Sequence, residues 1–469
     1  MKDLAEAKAP TLDLSNYEKV FLWSFRISLI VVFLPSKSLS YILPFSLYFG
    51  WAFILFSYRI FLRLLILSLI LFLAGVFYAY VYDEFSPQNF FFSQLGLSTY
   101  FIFFIVDKRA LSNPLLLKKA TKFCFQMFIF QGLFGIIQAS YGFIQTGSFD
   151  VANGDYVEGT IHPSLAAELS FSNPLFAYNM TFLMLASFIY IQFFKKRRNY
   201  LPFLIGTLSL LLASVVHLMA FFVVAILISF VVVRPKISNF FPSIAKVNPN
   251  NVRYGLFFGV VLFVLSVFVF QSSNMRSFGA YYSNFTSGVP AKAIITYSSI
   301  FELPEEHPAM LCIGLGSGQF SSRASLMLSG LYLEKEVPFF SKHTSRSFNN
   351  HLGYLLINSP THGGNSTEKP YYSLLTVFTE FGLLGLFFLI VVGITILKGI
   401  YSNRQHPLSL FFSIGFFFFG MCGIQEFYWE MPQAAFIGLM LLILIKSNIS
   451  ANQLNIFILP NHSSHENEV

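Results

Sequence analysis

Residues 200–233 read YLPFLIGTLSLLLASVVHLMAFFVVAILISFVVV, without one Asp, Glu, Lys or Arg. A helix needs roughly 17–25 apolar residues to cross a bilayer. The run is too long for one crossing and is expected to fold as two helices turning near Ser214–His217. Comparable runs recur on both sides of it, near 19–35, 39–57, 60–81, 88–106, 120–145, 173–194, 254–271, 371–397, 407–426 and 431–446. With 199–214 and 216–233 they make about twelve expected spans. The fold class expected is an all-α, polytopic integral membrane protein.

Composition excludes the soluble alternative. Of 469 residues, 55% are hydrophobic and 11% charged, against about 25% charged in soluble domains. So few charges cannot cover a soluble particle of this size, and mean hydropathy is +0.64. The 61 Phe residues serve, like Leu, as lipid-facing bulk.

The net charge of +8 does not point to nucleic acid. The basic residues form short clusters between apolar runs: Arg59 and Arg63; Lys108, Arg109, Lys118, Lys119 and Lys122; Lys195 to Arg198; Arg234, Lys236, Lys246 and Arg253; Lys398 and Arg404. Cytoplasmic loops carry such clusters, and no basic stripe alternates with stacking aromatics. With both termini cytoplasmic, every cluster falls inside, while the opposite short loops hold Asp83, Glu84, Asp150, Asp155, Glu158, Glu426 and Glu430 with a single Lys, Lys37. The three cysteines, Cys124, Cys312 and Cys422, are too scattered for a disulfide framework or metal spacing. The first apolar run is expected to be an uncleaved anchor.

The organisation expected is 1–271 with spans one to nine, 272–370 as a large outer loop, 371–446 with spans ten to twelve, and 447–469 as a polar cytoplasmic tail. Apolar stretches at 309–315, 325–333 and 352–358 suggest short helices on the membrane surface. A second outer segment, 146–172, contains GTIHPSLAAELSFSNP at 159–174, with His162 and Glu168.

Chemistry is expected on the outer face, because the spans are poor in charge and cations gather in the large loop. Arg276, Arg323 and Arg346, with Lys342 beside them, suit a phosphate or diphosphate, whose oxygens the guanidinium fork matches. A diphosphate at the outer membrane surface implies a lipid-linked substrate; a solvated face or contacts to headgroups is the bland alternative. Thr361-His362-Gly363-Gly364-Asn365 is a loose turn with a titratable His, the natural base for a sugar hydroxyl. His217, at the hairpin turn, and Asn365 are further candidates for binding. Glu380, within the tenth span, needs a partner or role there, and Gly382 and Gly385 suggest close helix packing. Gly314-Leu315-Gly316-Ser317-Gly318 lacks the Lys-Ser/Thr of a phosphate loop and reads better as a packed turn. No metal-binding pattern falls in an outer loop, so the expected site is metal-independent and uses no cofactor.

Three stretches resemble one family. LTVFTEFGLLGL at 375–386 resembles the LxxLxExGxxGL signature of the O-antigen polymerase and O-antigen ligase superfamily of bacterial envelope glycosyltransferases. IGLGSGQF at 313–320 resembles that family's GxGxxxF stretch, and FSNPLFA at 171–177 its NPxxxA run. Their order agrees, over roughly residues 120–440. Where the family has SR before the large loop, this chain has Ser214-Val215-Val216-His217; the family's His before the last signature corresponds, through an insertion, to His362. The resemblance implies an O-antigen or capsule polymerase of the bacterial inner membrane. Its donor is an undecaprenyl-diphosphate-linked oligosaccharide, and its partners are membrane lipid and a chain-length regulator, with no nucleotide sugar or metal. His362, Arg346 and Arg323 would be catalytic; Arg276, His217, Lys342, Asn365, His162 and Glu168 would hold diphosphate and glycan. An O-antigen ligase acting on lipid A core, and a lipid-linked oligosaccharide flippase or exporter, are the alternatives.

Overall fold

The computed structural model describes residues 14–35, 37–147, 157–163, 173–194, 201–213, 215–234, 291–331, 340–358 and 370–450, and among these every regular element is helical. The principal helices are α1 (Asn16–Val32), α2 (Lys37–Ile54), α3 (Tyr58–Val81), α4 (Pro87–Leu97), α5 (Pro114–Thr146), α6 (Asn173–Phe193), α7 (Leu201–Leu212), α8 (Val216–Val233), α9 (Ser373–Ser402), α10 (Leu408–Gln425) and α11 (Pro432–Ser450). Six of them, α3, α5, α6, α9, α10 and α11, are long and apolar enough to cross a membrane. The expected span at 254–271 lies outside the described residues.

The run at 200–233 does divide, α7 ending at Leu212 and α8 beginning at Val216. Its halves then separate, α7 packing mainly on α5 and α8 on α10. The expected span at 88–106 is not one helix. It is α4, a 3₁₀ turn at Ser98–Phe101 and one α-turn at Ile102–Ile105. The Tyr48 hydroxyl lies 3.2 Å from the carbonyls of both Ser98 and Thr99, giving them an acceptor's partner where the ladder changes. The polar tail also begins later than expected, since α11 continues to Ser450. Ser447 and Asn448 are buried, because Ser447 donates to the Ile443 carbonyl and Asn448 to those of Leu444 and Leu111.

Burial orders the bundle from centre to edge. In the most apolar window of α11, 89% of residues are buried, and in α6 78%, against 11% in α3 and 6% in α9. Aromatic rings fill the centre: Tyr178 stacks on Tyr428 at 4.9 Å, and Phe182 meets Phe418 edge-on at 5.6 Å. Offset and edge-on pairs of this kind add about 0.5–1.5 kcal/mol each beyond the area they bury.

The described parts of the large loop form a cap with its own core. Short helices at Ala291–Tyr297, Leu303–Glu306, Met310–Ile313, Arg323–Ser329, Arg346–Phe348 and Tyr354–Asn358 are joined in two places by π-helical turns, Ser298–Glu302 and Asn349–Gly353. Leu303, Met310, Phe320, Leu326, Phe348 and Leu352 are fully buried together, against Tyr371, Leu375 and Phe427 of the bundle. Helices form within the three stretches expected in this loop; part of their apolar surface packs into this core, and part, at Leu311, Tyr354 and Ile357, is exposed.

Candidate anion site beneath the cap

The segment 313–323 positions the site, and its first half is held by α9. Inside α9, Gly382 adopts φ +64° and ψ −160°, a region that is essentially open to glycine alone. A Cβ there would lie 2.6 Å from the Cys312 carbonyl carbon, and one on Gly314 (φ +74°) would lie 2.1 Å from that of Glu380. The two glycines let the turn and the kinked helix touch backbone to backbone. Leu315 and Gly316 N–H donate to the carbonyls of Thr379 and Glu380 at 2.9 and 3.1 Å. The fully buried Glu380 carboxylate then accepts three more amides, from Gly318 at 2.6 Å and from Phe320 and Ser322 at 3.0 Å each.

From the other side, Tyr78 of α3 and Tyr82 just past its end donate to the carbonyls of Ile313 and Gly314. Gln319 bonds both the amide and the carbonyl of Ser86, and Ser93 pairs with Ser317 at 2.5 Å. The sequence-predicted turn and the sequence-predicted Glu380 are therefore partners. Their role is to fix the chain that follows.

That chain is Ser322-Arg323. Ser322 caps the helix Arg323–Ser329, and the Arg323 side chain, 8% exposed, enters a small cleft lined by Tyr41, Phe92, Ser93, Gly96, Ala324 and Glu430, among others. The guanidinium carbon stands 5.7 Å from the ring centre of Tyr41 and 5.5 Å from that of Phe427. The Nε and Nη1 atoms are buried and meet no hydrogen-bond partner among the described residues, and neither does Oε1 of Glu430. Oε2 of Glu430 accepts the Arg323 amide at 2.6 Å.

Glu430 ends the 3₁₀ turn Tyr428–Glu430 between α10 and α11. Burial pushes its carboxyl up to about 8, with the charge of Glu380 adding to the rise. The Arg323 amide, the Thr376 hydroxyl and the Arg323 guanidinium act in the opposite direction and do not prevail. A carboxyl in that range stands ready to hold or release a proton near neutrality. A buried guanidinium with unbonded N–H groups costs at least about 1–3 kcal/mol, and an anion entering the cleft relieves that cost.

The other expected site residues divide into three groups. His362, Arg276, Asn365 and Glu168 lie outside the described residues. Arg346 and Lys342 are exposed and do not line the cleft; Arg346 sits at the start of its helix, its amide donating to Glu84. The two arginines expected to act together therefore differ in setting, Arg323 buried in the cleft and Arg346 exposed outside it. His217, half-buried, packs near the Phe221 ring. His162 lies 3.2 Å from the buried Glu158, in a segment stapled to α5 by Gln131 and Gln138. It is not part of the cleft lining. Two other loop histidines are tied within the cap, His351 to Ser298 at 2.5 Å and Glu306 at 3.1 Å, and His307 to Ser347 at 2.7 Å.

Glu430, Tyr41 and Phe92 were not expected in a site. The sequence carried one signal for Glu430: with Glu426 it places two acids in a short turn between two apolar runs.

Comparison with models of known protein families, with curated proteins and with solved structures finds no match to this chain.

Proposed function

We propose that this chain polymerises undecaprenyl-diphosphate-linked oligosaccharide repeat units, as an O-antigen or capsule polymerase acting at the periplasmic face of the bacterial inner membrane. Six membrane-length apolar helices support a membrane setting. The reading takes the chain as crossing about twelve times with both termini cytoplasmic. The observation that carries it is the buried Arg323 guanidinium, with two nitrogens lacking partners in a cleft beneath the cap. A cation so placed suits the diphosphate of a lipid-linked donor.

In the reaction, the bond from the sugar's anomeric carbon to the diphosphate oxygen breaks while one to the acceptor hydroxyl oxygen forms. Negative charge grows on the departing diphosphate. Arg323 offsets it in a buried, low-dielectric setting where such contacts are strongest. The acceptor's proton leaves to a base, the role the family resemblance gives to His362. The contact between 314–322 and α9 also bears on the reading, because it joins the two stretches that carry most of that resemblance.

The test is the surface-polysaccharide ladder of a strain lacking this gene, complemented with wild type or Arg323→Ala. Single repeat units on lipid A core in the deletion, restored to a ladder by wild type, are expected. Arg323→Ala at normal protein level should leave the ladder short, because losing a charge contact in the transition state costs on the order of 100-fold or more in rate. Long chains retained on undecaprenyl diphosphate with a bare core would mean a ligase instead. A ladder unchanged by the deletion would remove the proposal.

A further inference from the structure

Glu430 shares the Arg323 cleft, and an ionised carboxylate there would repel any phosphate that Arg323 attracts. The hydrogen bonding around it suggests how the conflict is resolved. Oε2 accepts the Arg323 amide at 2.6 Å, so that oxygen already has a donor. Oε1 is buried, faces the same cleft and meets no partner.

We propose that Glu430 takes part in anion binding as a neutral carboxyl, its Oε1–H donating to a phosphate oxygen that Arg323 also holds. This rests on reading the cleft as the diphosphate site. The site then offers the phosphate one permanent donor group, the guanidinium, and one donor that exists only while its proton is present.

The groups packed around Glu430 agree with that state. Arg323 approaches from the cap helix, while Glu380 and Thr376 approach from α9. Glu380 is saturated with three amide donors and fixed in place. The Thr376 hydroxyl lies within reach of two carbonyls, those of Ser321 and Tyr372, that can take its proton. Tyr100, whose hydroxyl donates to the Trp429 carbonyl, also feels the Glu430 charge. Burial and the Glu380 charge raise the Glu430 carboxyl to about 8, so the donor form predominates at neutrality. Ligand binding to an ionised Glu430 requires uptake of one proton.

The test uses the full chain in phosphatidylcholine nanodiscs, with farnesyl diphosphate as probe and its Kd measured from pH 7 to pH 9, where the probe's own phosphates are ionised. If only protonated Glu430 accepts the ligand, wild-type affinity should fall about tenfold over that range as the competent fraction shrinks. Glu430→Gln should bind within about threefold of wild type at pH 7 and lose the pH dependence. Arg323→Ala should bind at least about tenfold more weakly at every pH, given what a charged hydrogen bond contributes. A flat wild-type profile, or a Gln variant that keeps the slope, overturns the role of Glu430 and leaves the anion site standing if Arg323→Ala is weak. Unimpaired binding by Arg323→Ala overturns both readings. Displacement of the probe by phosphatidylglycerol at equal concentration would make this an ordinary headgroup site and overturn the diphosphate assignment. The wild-type profile needs no variant, so a Glu430→Gln chain that failed to fold would not spoil the test.

Discussion

Glu380, in α9, and Arg323, at the end of the 313–323 segment that Glu380 holds, are both charged side chains removed from solvent. Three backbone amides supply hydrogen bonds to both oxygens of Glu380, whereas two nitrogens of Arg323 lack a hydrogen-bond partner among the described residues. Burial alone therefore does not mark a functional group. Between these two buried charges, the one with hydrogen-bonding capacity left open is the better candidate for binding, because a ligand would relieve the cost that the fold bears. The segment up to Ser322 is a fastening, and Arg323 is what it fastens.

This contrast predicts opposite responses to truncation. Glu380→Ala orphans three buried amides at about 1–3 kcal/mol each. The detergent-solubilised protein should lose its cooperative thermal transition or melt far below wild type. If it melts as wild type does, the fastening has been misread. Arg323→Ala should behave in the other sense: an unchanged or slightly raised melting temperature beside severely reduced polymerisation. The Arg323 backbone amide still serves Glu430 in that variant, so a large loss of stability would mean that the guanidinium is structural.

A smaller effect concerns pH. The Glu430 carboxyl titrates near 8 in the fold against an ordinary value of 4.5. Between these values the folded chain holds more protons than the unfolded one, so stability should fall as pH rises from about 5 to about 8. Glu430→Gln should remove this group's share of the slope. A wild-type melting temperature that climbs over the interval, with Glu430→Gln showing the same climb, would contradict the assignment. The smallest effect should come from Tyr82→Phe, which deletes one hydroxyl bonded to the Gly314 carbonyl at 2.8 Å. Its expected cost is about 1 kcal/mol, read as a modest drop in melting temperature with activity retained.

Most of the helical frame was legible in the sequence because apolar runs reflect a one-dimensional requirement, the thickness of a bilayer. The same rule misread 88–106, where length and hydropathy suffice but Tyr48 supports a change of helical form at Ser98 and Thr99. The two arginines show the limit more sharply. Arg323 follows the capping Ser322, and Arg346 follows the capping Ser345, each opening a short helix. Their local sequences make the same promise. Only long-range packing, from α2, α4 and the turn before α11, buries the first and leaves the second in the open. Glu380 could be flagged as needing a partner, yet its partners lie some sixty positions upstream. Glu430 offered only its oddity as an acid in an apolar neighbourhood.

The kink at Gly382 has a mechanical side as well. It separates α9 into a stub clasped by the cap and an arm running to Ser402, most of whose flank faces outward. At 1.5 Å per residue the arm is about 30 Å long, so a pivot of about 10° at Gly382 swings its far end by about 5 Å. A thicker or thinner bilayer changes the inclination of such an arm. In the membrane setting proposed, the thickness of the surrounding lipid would act on a lever whose fulcrum stands two residues from Glu380.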